Sequence, residues 1–340
     1  MTSDQFKRRA LPAGLCLALA ALASPAARAE DTTLAIPAQS LGFLSRYIAD
    51  DQRLWSKQGL NVKILDIRGI GSINAVIAGS ADFSIGSAQG ITRAWAKGQK
   101  LVALLSATNR TGISIVVRKD IAEAAHFDPS APIATRGKIL KGRTIATGGI
   151  GGLYDIVLRG FAKDAGLDPE ADVVEAAIPA QEFVAAFEAE RIDGFLSSPP
   201  YPEQVVSDGT GVLVSDAREA WGEPTEFTPF AGGLLLTRGD FCAGHKSVCE
   251  KMVHGLYEAT QIIRNDPQTS LAVIKAHFGT YDDKVLQAAY ETEKAITADN
   301  PITTVEALEN GDKMSIAAGF LKPEEKLSDY KPLIDNSYVK

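Results

Sequence analysis

The sequence predicts an α/β protein of two lobes, each a mostly parallel sheet flanked by helices. A chain of 340 residues with 45% apolar and 23% charged residues is long enough for two globular domains of ordinary size. Short apolar strands alternate with segments whose apolar residues recur at helical spacing, which is typical of a parallel sheet covered on both faces. This alternation starts again after a polar stretch near residues 128–132, which indicates a second lobe.

The first half of this pattern contains four predicted strands, over residues 33–36, 62–67, 83–86 and 101–106. Apolar residues at helical spacing follow the first strand over residues 41–55. Gly59 is expected to end that helix, because a left-handed cap favours a residue without a Cβ atom. Ser72 is expected to cap the next helix, and another helix is predicted over residues 91–97.

The second half repeats the design. Strands are predicted over residues 143–147, near 173 and over 194–197, with a helix over 153–161 that Gly166 ends and another over 181–189. The two halves also contain similar sequence segments, since residues 58–62 resemble 165–168 and residues 78–83 resemble 189–195. The sequence therefore predicts two βαβαβ halves of common design.

Two further apolar strands, over residues 113–117 and 232–237, are interpreted as connections that run between the lobes. The chain from about residue 247 onward is helical and is expected to pack back on the first lobe. The predicted organisation is a leader over residues 1–29, a discontinuous first lobe over 30–117 plus 231–340, and a second lobe over 118–230.

The first 29 residues read as a secretory signal peptide. Lys7, Arg8 and Arg9 precede an apolar run over residues 11–22, and a small-x-small site ends at Ala29. The apolar run is too short to cross a bilayer. We therefore expect export to the periplasm, with cleavage near Ala29.

The formal net charge of −7 disfavours nucleic acid and anionic membrane as partners. Two cysteines follow the leader, Cys242 and Cys249. In an oxidising compartment they either form a disulfide or serve as two small buried hydrophobic residues. The sequence does not decide between these alternatives.

Ligands of open α/β sheets bind beyond the carboxyl ends of the strands, so two facing lobes enclose a cleft. The residues that follow the predicted strands are therefore the candidate ligand contacts. In the first lobe these are Gln39, Phe43, Gly71, Ser72, Ser87, Gln89, Asn109 and Arg110. In the second lobe they are Thr147, Gly151, Gly152, Tyr154, Ser198 and Tyr201.

The loop over residues 147–152 is the strongest local signal. Its glycines let the backbone approach a ligand, and the helix that follows favours negative charge at its start. A small anion such as a sulfonate, carboxylate or nitrate fits this chemistry. The alternative is that the glycines only make a tight turn. A dinucleotide site is disfavoured, because Gly149-x-Gly151-x-x-Tyr154 lacks the third glycine of that motif.

No catalytic constellation is visible in the sequence. The four histidines show no metal-ligand spacing, and no serine lies in a nucleophile elbow. We therefore expect no catalytic residues, no metal and no cofactor. A site of paired acids stays open.

Several segments together resemble the substrate-binding proteins of bacterial ABC importers, in the group that binds nitrate, sulfonates, taurine and thiamine-pyrimidine precursors. After the exported start, the segments are KQGLNV (57–62), AGSADF (78–83), LKGRTI (140–145), GLDP (166–169) and RIDG (191–194). The resemblance covers most of the chain after the leader. It implies a type II periplasmic binding fold with two hinge crossovers.

The resemblance also implies a function. A monomeric receptor of this kind traps a small-molecule ligand by hinge closure and delivers it to the transmembrane subunits of an ABC permease. It implies ligand contacts at Gln39, Ser87, Gln89, Thr147, Gly151 and Gly152. The thiamine-pyrimidine enzymes of the group carry a clustered cysteine motif that this chain lacks, so an enzyme is not expected. An exported enzyme or a signalling receptor using the same cleft are the alternatives, and a thiamine-pyrimidine precursor is the alternative ligand.

Overall fold

A computed structural model describes residues 29–219 and 227–339. The strands in these ranges are β1 Glu30–Ile36, β2 Leu60–Asp66, β3 Phe83–Gly86, β4 Leu101–Thr108, β5 Ser114–Arg118, β6 Arg143–Thr147, β7 Val173–Ala177, β8 Gly194–Ser197, β9 Gly211–Ser215 and β10 Gly232–Arg238. The predicted leader lies outside the described residues, apart from Ala29.

Helices flank these strands. They are α1 Leu44–Asp51, α2 Gly71–Ile77, α3 Ala88–Ala96, α4 Lys119–Ala124, α5 Ile133–Arg136, α6 Leu153–Asp164, α7 Phe183–Glu188, α8 Tyr201–Ser207, α9 Phe241–Gly244, α10 Lys246–Asn265, α11 Pro267–Phe278, α12 Asp283–Ile296 and α13 Val305–Ala318. Among the described residues, no helix is both long enough and apolar enough to span a bilayer.

The strands form two five-stranded sheets of the same design, in the orders β2-β1-β3-β10-β4 and β7-β6-β8-β5-β9. In each sheet four strands run in one direction and one runs against them, β10 in the first and β5 in the second. The α/β fold class with two lobes is therefore confirmed. Each sheet is mixed through a single antiparallel strand.

The repeat seen in the sequence has a structural counterpart. Asp82, just before β3, accepts a hydrogen bond of 2.9 Å from the Thr33 N–H in β1. Asp193, just before β8, accepts one of 2.8 Å from the Thr144 N–H in β6. In each lobe, one carboxylate thus links the start of the central strand to its neighbour.

The structure corrects the predicted lobe boundary at residue 117. β5 pairs along its length with β8 and β9, so it belongs to the second sheet and not to the first lobe or to a connection. β10 pairs with β3 and β4 in the first sheet. The first crossover is therefore the short segment over residues 109–113. A strand's partner depends on residues distant in sequence, which its own apolar pattern does not encode.

Glycines end corresponding turns in the two halves. Gly59 has a φ of 72° and Gly166 a φ of 77°, both in the left-handed region that the sequence analysis required. The predicted long helix before Gly59 is interrupted, since α1 ends at Asp51 and a 3-10 turn over Ser56–Gln58 follows.

The C-terminal helices pack mainly on the first lobe. Trp55 lies against α10, where its indole N–H donates to the Met252 carbonyl (3.2 Å) and a Cβ atom on Gly255 would lie 2.4 Å from the ring. Cys242 and Cys249 are joined by a disulfide between α9 and α10. Two helices of this tail also reach the second lobe, since α12 contacts α8 and α13 contacts α6.

Candidate functional site

The loops after β1 and β8 meet where the two lobes face each other. The Leu41 N–H donates to the Pro199 carbonyl (3.0 Å), and the Tyr201 hydroxyl donates to the Gln39 carbonyl (3.2 Å). Both bonds join one lobe to the other. Two predicted site residues, Gln39 and Tyr201, are therefore brought together in a closed arrangement of the lobes.

Gly42 lies between two serine hydroxyls in this contact. A Cβ atom at Gly42 would lie 3.0 Å from the Ser198 Oγ of the second lobe and 3.4 Å from the Ser40 Oγ of the first. Ser40 is 1% exposed, and its Oγ has no hydrogen-bond partner. The lobes can approach this closely because position 42 carries no side chain.

Tyr154 joins two loops of the second lobe. Its hydroxyl lies 3.3 Å from the Ser198 Oγ and accepts a hydrogen bond of 3.2 Å from the Ser198 N–H. The neighbouring Ser197 is fully buried, and its Oγ has no partner. The predicted residues Tyr154 and Ser198 thus form one polar cluster with Gln39 and Tyr201.

The glycine loop between β6 and α6 is built as predicted, but part of its polar surface is occupied. Gly151 has a φ of 75°, a conformation that favours glycine. The Gly151 N–H donates to the buried carboxylate of Asp155 (2.6 Å), which lies in the first turn of α6. The protein's own carboxylate therefore already sits at this helix start, where the sequence predicted a bound anion.

Asp155, Arg159 and Glu175 form a charge network next to the glycine loop. Asp155 pairs with Arg159 (2.6 Å), and Arg159 also lies 4.0 Å from Glu175. The Thr147 hydroxyl donates to Glu175, so this predicted ligand contact is engaged within the protein. Burial is the main cause that raises the pKa of Glu175, with the nearby Asp155 carboxylate adding to it.

The helix α3 of the first lobe lies next to the glycine loop of the second lobe. Ser87 precedes the helix, and Gln89 is buried with no partner for its Oε1 atom. One turn later, Arg93 donates from Nη1 to the Gly151 carbonyl of the second lobe (3.0 Å). Burial lowers the pKa of Arg93. The sequence analysis missed Arg93, although its spacing of four from Gln89 places both on one helix face.

Ser72 does not cap its helix. α2 begins at Gly71 with Ile70 as the N-cap residue, and the Ser72 hydroxyl donates to the Gly69 carbonyl (3.0 Å). The expectation that Ser72 caps α2 is therefore wrong, because the helix starts at Gly71, two residues before Ile73, the first residue of its apolar pattern.

Asn109 and Arg110 lie on the crossover and not in the polar cluster. The Asn109 N–H donates to the Ile296 carbonyl (3.0 Å), and its carbonyl accepts from the Phe230 N–H (2.9 Å). The Arg110 guanidinium donates to the Arg218 carbonyl. These contacts hold the crossover segment against the end of α12, the residues before β10 and the loop after β9.

Arg46 is a buried cation that the sequence analysis also missed. It is 7% exposed, its guanidinium lies over the Tyr47 ring at 3.6 Å from the centroid, and its Nε has no partner. Arg46 lies two residues from both Leu44 and Ile48, so helical spacing places it away from their apolar side and gives no sign of its burial. Phe43, a predicted contact, is half-buried against the core that surrounds α1.

In the described part of the chain, no group of three or more histidine, cysteine or carboxylate side chains could hold a metal ion. Two surface cavities of about 320 and 500 Å³ lie elsewhere. Neither is lined by a predicted site residue. The polar cluster between the lobes is therefore the candidate site.

The sequence profile of the NMT1-like family matches residues 36–276. The chain belongs to the NMT1-like family. This match spans the second sheet, the first sheet except for most of β1, and every residue of the polar cluster. It confirms the group to which the sequence analysis assigned the chain.

Solved structures share the fold of this family member. The alkanesulfonate-binding protein SsuA from Xanthomonas axonopodis bound to MOPS has a TM-score of 0.70 at 17% identity, covering 91% of this chain and 99% of its own. The nitrate-binding protein NrtA from Synechocystis has a TM-score of 0.69 at 14% identity, covering 91% and 86%. A protein from Bordetella bronchiseptica has a TM-score of 0.79 at 19% identity, covering 91% and 95%.

A curated relative matches over a shorter region. The nitrate/nitrite-binding protein NrtA of Nostoc is 30% identical over 111 residues, which is 33% of this chain and 24% of the relative. The match thus spans about a quarter of that protein's length. Together, the structural comparisons establish the periplasmic binding protein fold for this chain.

Proposed function

We propose that this chain is a periplasmic solute-binding protein that traps a small organic solute between its lobes and delivers it to an ABC-type permease. The observation that carries the proposal is the set of hydrogen bonds between the lobes at Leu41–Pro199 and Tyr201–Gln39. They form only when the two strand-end loops meet. A solute that contacts both loops favours this closed form by the free energy of its second set of contacts.

The polar groups without partners supply the solute contacts. Ser40 Oγ and Gln89 Oε1 in the first lobe and Ser197 Oγ in the second are buried and unpaired. An unpaired buried polar group costs about 1–3 kcal/mol, so a solute that pairs with these atoms gains affinity. Hydroxyl and amide groups of this kind suit an organic solute with several oxygen atoms.

An acidic group on the solute is supported by the relatives and by the local charges. SsuA and NrtA bind alkanesulfonates and nitrate, as their names state. Here Arg93 lies beside the glycine loop, and the first turn of α6 offers N–H groups that helix geometry leaves unpaired. Because Asp155 already occupies the Gly151 N–H, we infer a sulfonate or carboxylate held mainly by the remaining groups.

Binding without chemical change is supported by the composition of the cluster. Its members are serines, tyrosines, amides and main-chain groups, held by each other and by Asp155. Among the described hydrogen bonds of Gln39, Tyr154, Ser198 and Tyr201, none joins a hydroxyl to a carboxylate or an imidazole. We therefore infer that the solute leaves unaltered when the lobes open.

A solute panel tests the proposal. The purified mature chain is heated with taurine, ethanesulfonate, benzoate, nitrate and an aminopyrimidine, and the solution is then analysed by mass spectrometry. A bound solute raises the midpoint temperature of unfolding in a saturable way, because it raises the free energy of unfolding by about 2.7 kcal/mol at 100 times its Kd. The proposal expects a shift with the compound recovered intact. Turnover of the compound would contradict it in favour of an exported enzyme.

A further inference from the structure

Two glutamates from different lobes meet where α8 packs against α12. The Thr292 hydroxyl of α12 donates to the Glu203 Oε1 of α8 (3.1 Å). Glu293 follows Thr292 directly, and the Glu203 carboxylate is close enough to raise its pKa. The contact therefore places two acids from the two lobes side by side.

Glu293 is buried, Glu203 is partly buried with an inaccessible Oε2, and neither carboxylate is fully hydrogen-bonded. Glu293 is 2% exposed, and in the described part of the chain neither its Oε1 nor the Glu203 Oε2 has a partner. Two neighbouring buried carboxylates cannot both ionise without a large cost. A proton on the pair removes the repulsion and turns one acceptor into a donor.

The nearby arginines are paired with other acids, so the repulsion between the Glu203 and Glu293 carboxylates persists. Asp216 raises the pKa of Glu203, and Arg218 lowers it. Arg218 is itself paired with Asp216 at 2.5 Å and is half-exposed. On α10, which packs against α12, Arg264 is paired with Asp299 and donates to the Thr297 carbonyl (2.9 Å).

The pair lies beside the crossover. Ile296, at the end of α12, accepts from the Asn109 N–H (3.0 Å) of the segment that links the sheets. Opening of the lobes moves α8 away from α12 and lets water reach both carboxyls. Their environment thus differs between the open and closed forms.

We propose that Glu203 and Glu293 form a proton-sensitive latch, in which closure of the lobes takes up a proton that the two carboxyls share. The proposal rests on the hinge closure of the proposed function. Acidic conditions then favour the closed, solute-retaining form, and alkaline conditions favour release.

The sign follows from the pKa shifts in the closed form. Burial is the first cause that raises the pKa of Glu203, to about 7 from 4.5, and burial with the Glu203 charge raises the pKa of Glu293 well above 4.5. A group whose pKa is higher in the closed form stabilises that form at low pH. This stabilisation is complete below about pH 4.5 and is lost as the pH rises through 7.

Small-angle scattering of the mature chain without solute tests the latch. For each proton taken up, the ratio of closed to open molecules falls about tenfold per pH unit across this window. The radius of gyration is therefore expected to rise with pH. The Glu203→Gln, Glu293→Gln double variant removes both titrating carboxyls and is expected to stay compact at every pH. Glu291→Gln, an isosteric change on the exposed side of α12, is the matched control and is expected to behave like the parent chain.

Two results overturn the latch. One is a radius of gyration that does not change with pH in the parent chain. The other is a double variant that still changes its radius of gyration with pH as the parent does. If the double variant loses its circular dichroism, Glu203→Gln alone takes its place, and its transition is expected at lower pH because Glu293 loses the neighbouring charge but stays buried. Solute binding is measured separately, so a failed latch leaves the proposed function intact.

Discussion

The Tyr201 hydroxyl donates to the Gln39 main-chain carbonyl across 3.2 Å, and this bond joins the start of α8 in the second lobe to the loop after β1 in the first. A typical hydrogen bond contributes only about 0.5–1.5 kcal/mol net. A few such contacts stabilise the closed form only weakly, so solute binding can decide whether the lobes are open or closed. Substitutions at the lobe contact should therefore alter solute affinity more than they alter folding.

Gly42→Ala is expected to weaken solute binding. The added Cβ atom would lie 3.0 Å from the Ser198 Oγ, so the lobes could not close fully. We expect affinity to fall about tenfold, or about 1.4 kcal/mol, in isothermal titration calorimetry. Gly244→Ala is the control, because a Cβ atom there meets nothing within 4 Å. Equal affinity of both variants would remove Gly42 from the account.

Arg93→Met is expected to loosen closure while leaving the lobes folded. Arg93 donates to the Gly151 carbonyl of the other lobe (3.0 Å), and methionine keeps much of the stem but loses the donor. A hydrogen bond from a charged group contributes about 1.5–3 kcal/mol, so affinity should fall at least tenfold. The measurement is solute affinity beside the midpoint of thermal unfolding. A lower midpoint with unchanged affinity would make Arg93 purely structural.

Asp155→Asn is expected to destabilise the second lobe. Asp155 is fully buried, accepts from the Gly151 N–H and pairs with Arg159 at 2.6 Å. Breaking a buried ion pair from one side costs about 3–5 kcal/mol. Glu170→Gln removes an exposed partner of the same Arg159 and should cost at most about 1 kcal/mol. Urea denaturation compares the two, and similar losses would contradict the central place of Asp155 under the glycine loop.

The twin carboxylates Asp82 and Asp193 should differ in their contribution to stability. Asp82 accepts from the Thr32 and Thr33 hydroxyls as well as from the Thr33 N–H, whereas Asp193 accepts one hydrogen bond from the Thr144 N–H and lies 3.7 Å from the partly exposed Arg118 guanidinium, a contact that contributes at most about 1 kcal/mol. At about 1 kcal/mol net for each bond, Asp82→Ala should lower the free energy of unfolding more than Asp193→Ala. The reverse order in urea denaturation would contradict this reading of the repeat.

Removal of the disulfide is expected to lower stability modestly. Cys242 and Cys249 are seven residues apart, and closing so short a loop stabilises a chain by about 2 kcal/mol in the chain-entropy model. The Cys242→Ser, Cys249→Ser double variant should therefore unfold at lower denaturant. Reductant should shift the parent chain to the same midpoint and leave the variant unchanged. A parent chain that reductant does not affect would show the bond to be absent in solution.

More of the fold than of the candidate site could be predicted from the sequence. Gly59 and Gly166 mark turn ends that depend on local backbone conformation, so both were predictable. The pairing of β5 was not, because strand partners are chosen by residues far away in the chain. In the polar cluster, Tyr154, Ser198 and Tyr201 follow predicted strands, so the search after strand ends selected them as candidates. Arg46 and Arg93 lie inside helices, where the search for residues after strands did not reach.

The loop over residues 147–152 shows why a motif alone does not define a ligand. Its glycines predict an anion at the start of α6, yet Asp155 from the same helix takes the Gly151 N–H. A carboxylate at the third helical position is also the pattern of a reciprocal helix cap. The sequence does not show that the protein's own carboxylate fills the hydrogen-bonding capacity of the Gly151 N–H.

The most direct test of the central claim is a crystal structure with the panel solute that gives the largest thermal shift. The account predicts one intact solute between the lobes, in contact with the Ser40 side of the first lobe and with the Ser198 or glycine-loop side of the second. A solute held within one lobe, or in either of the outer surface cavities, would contradict it.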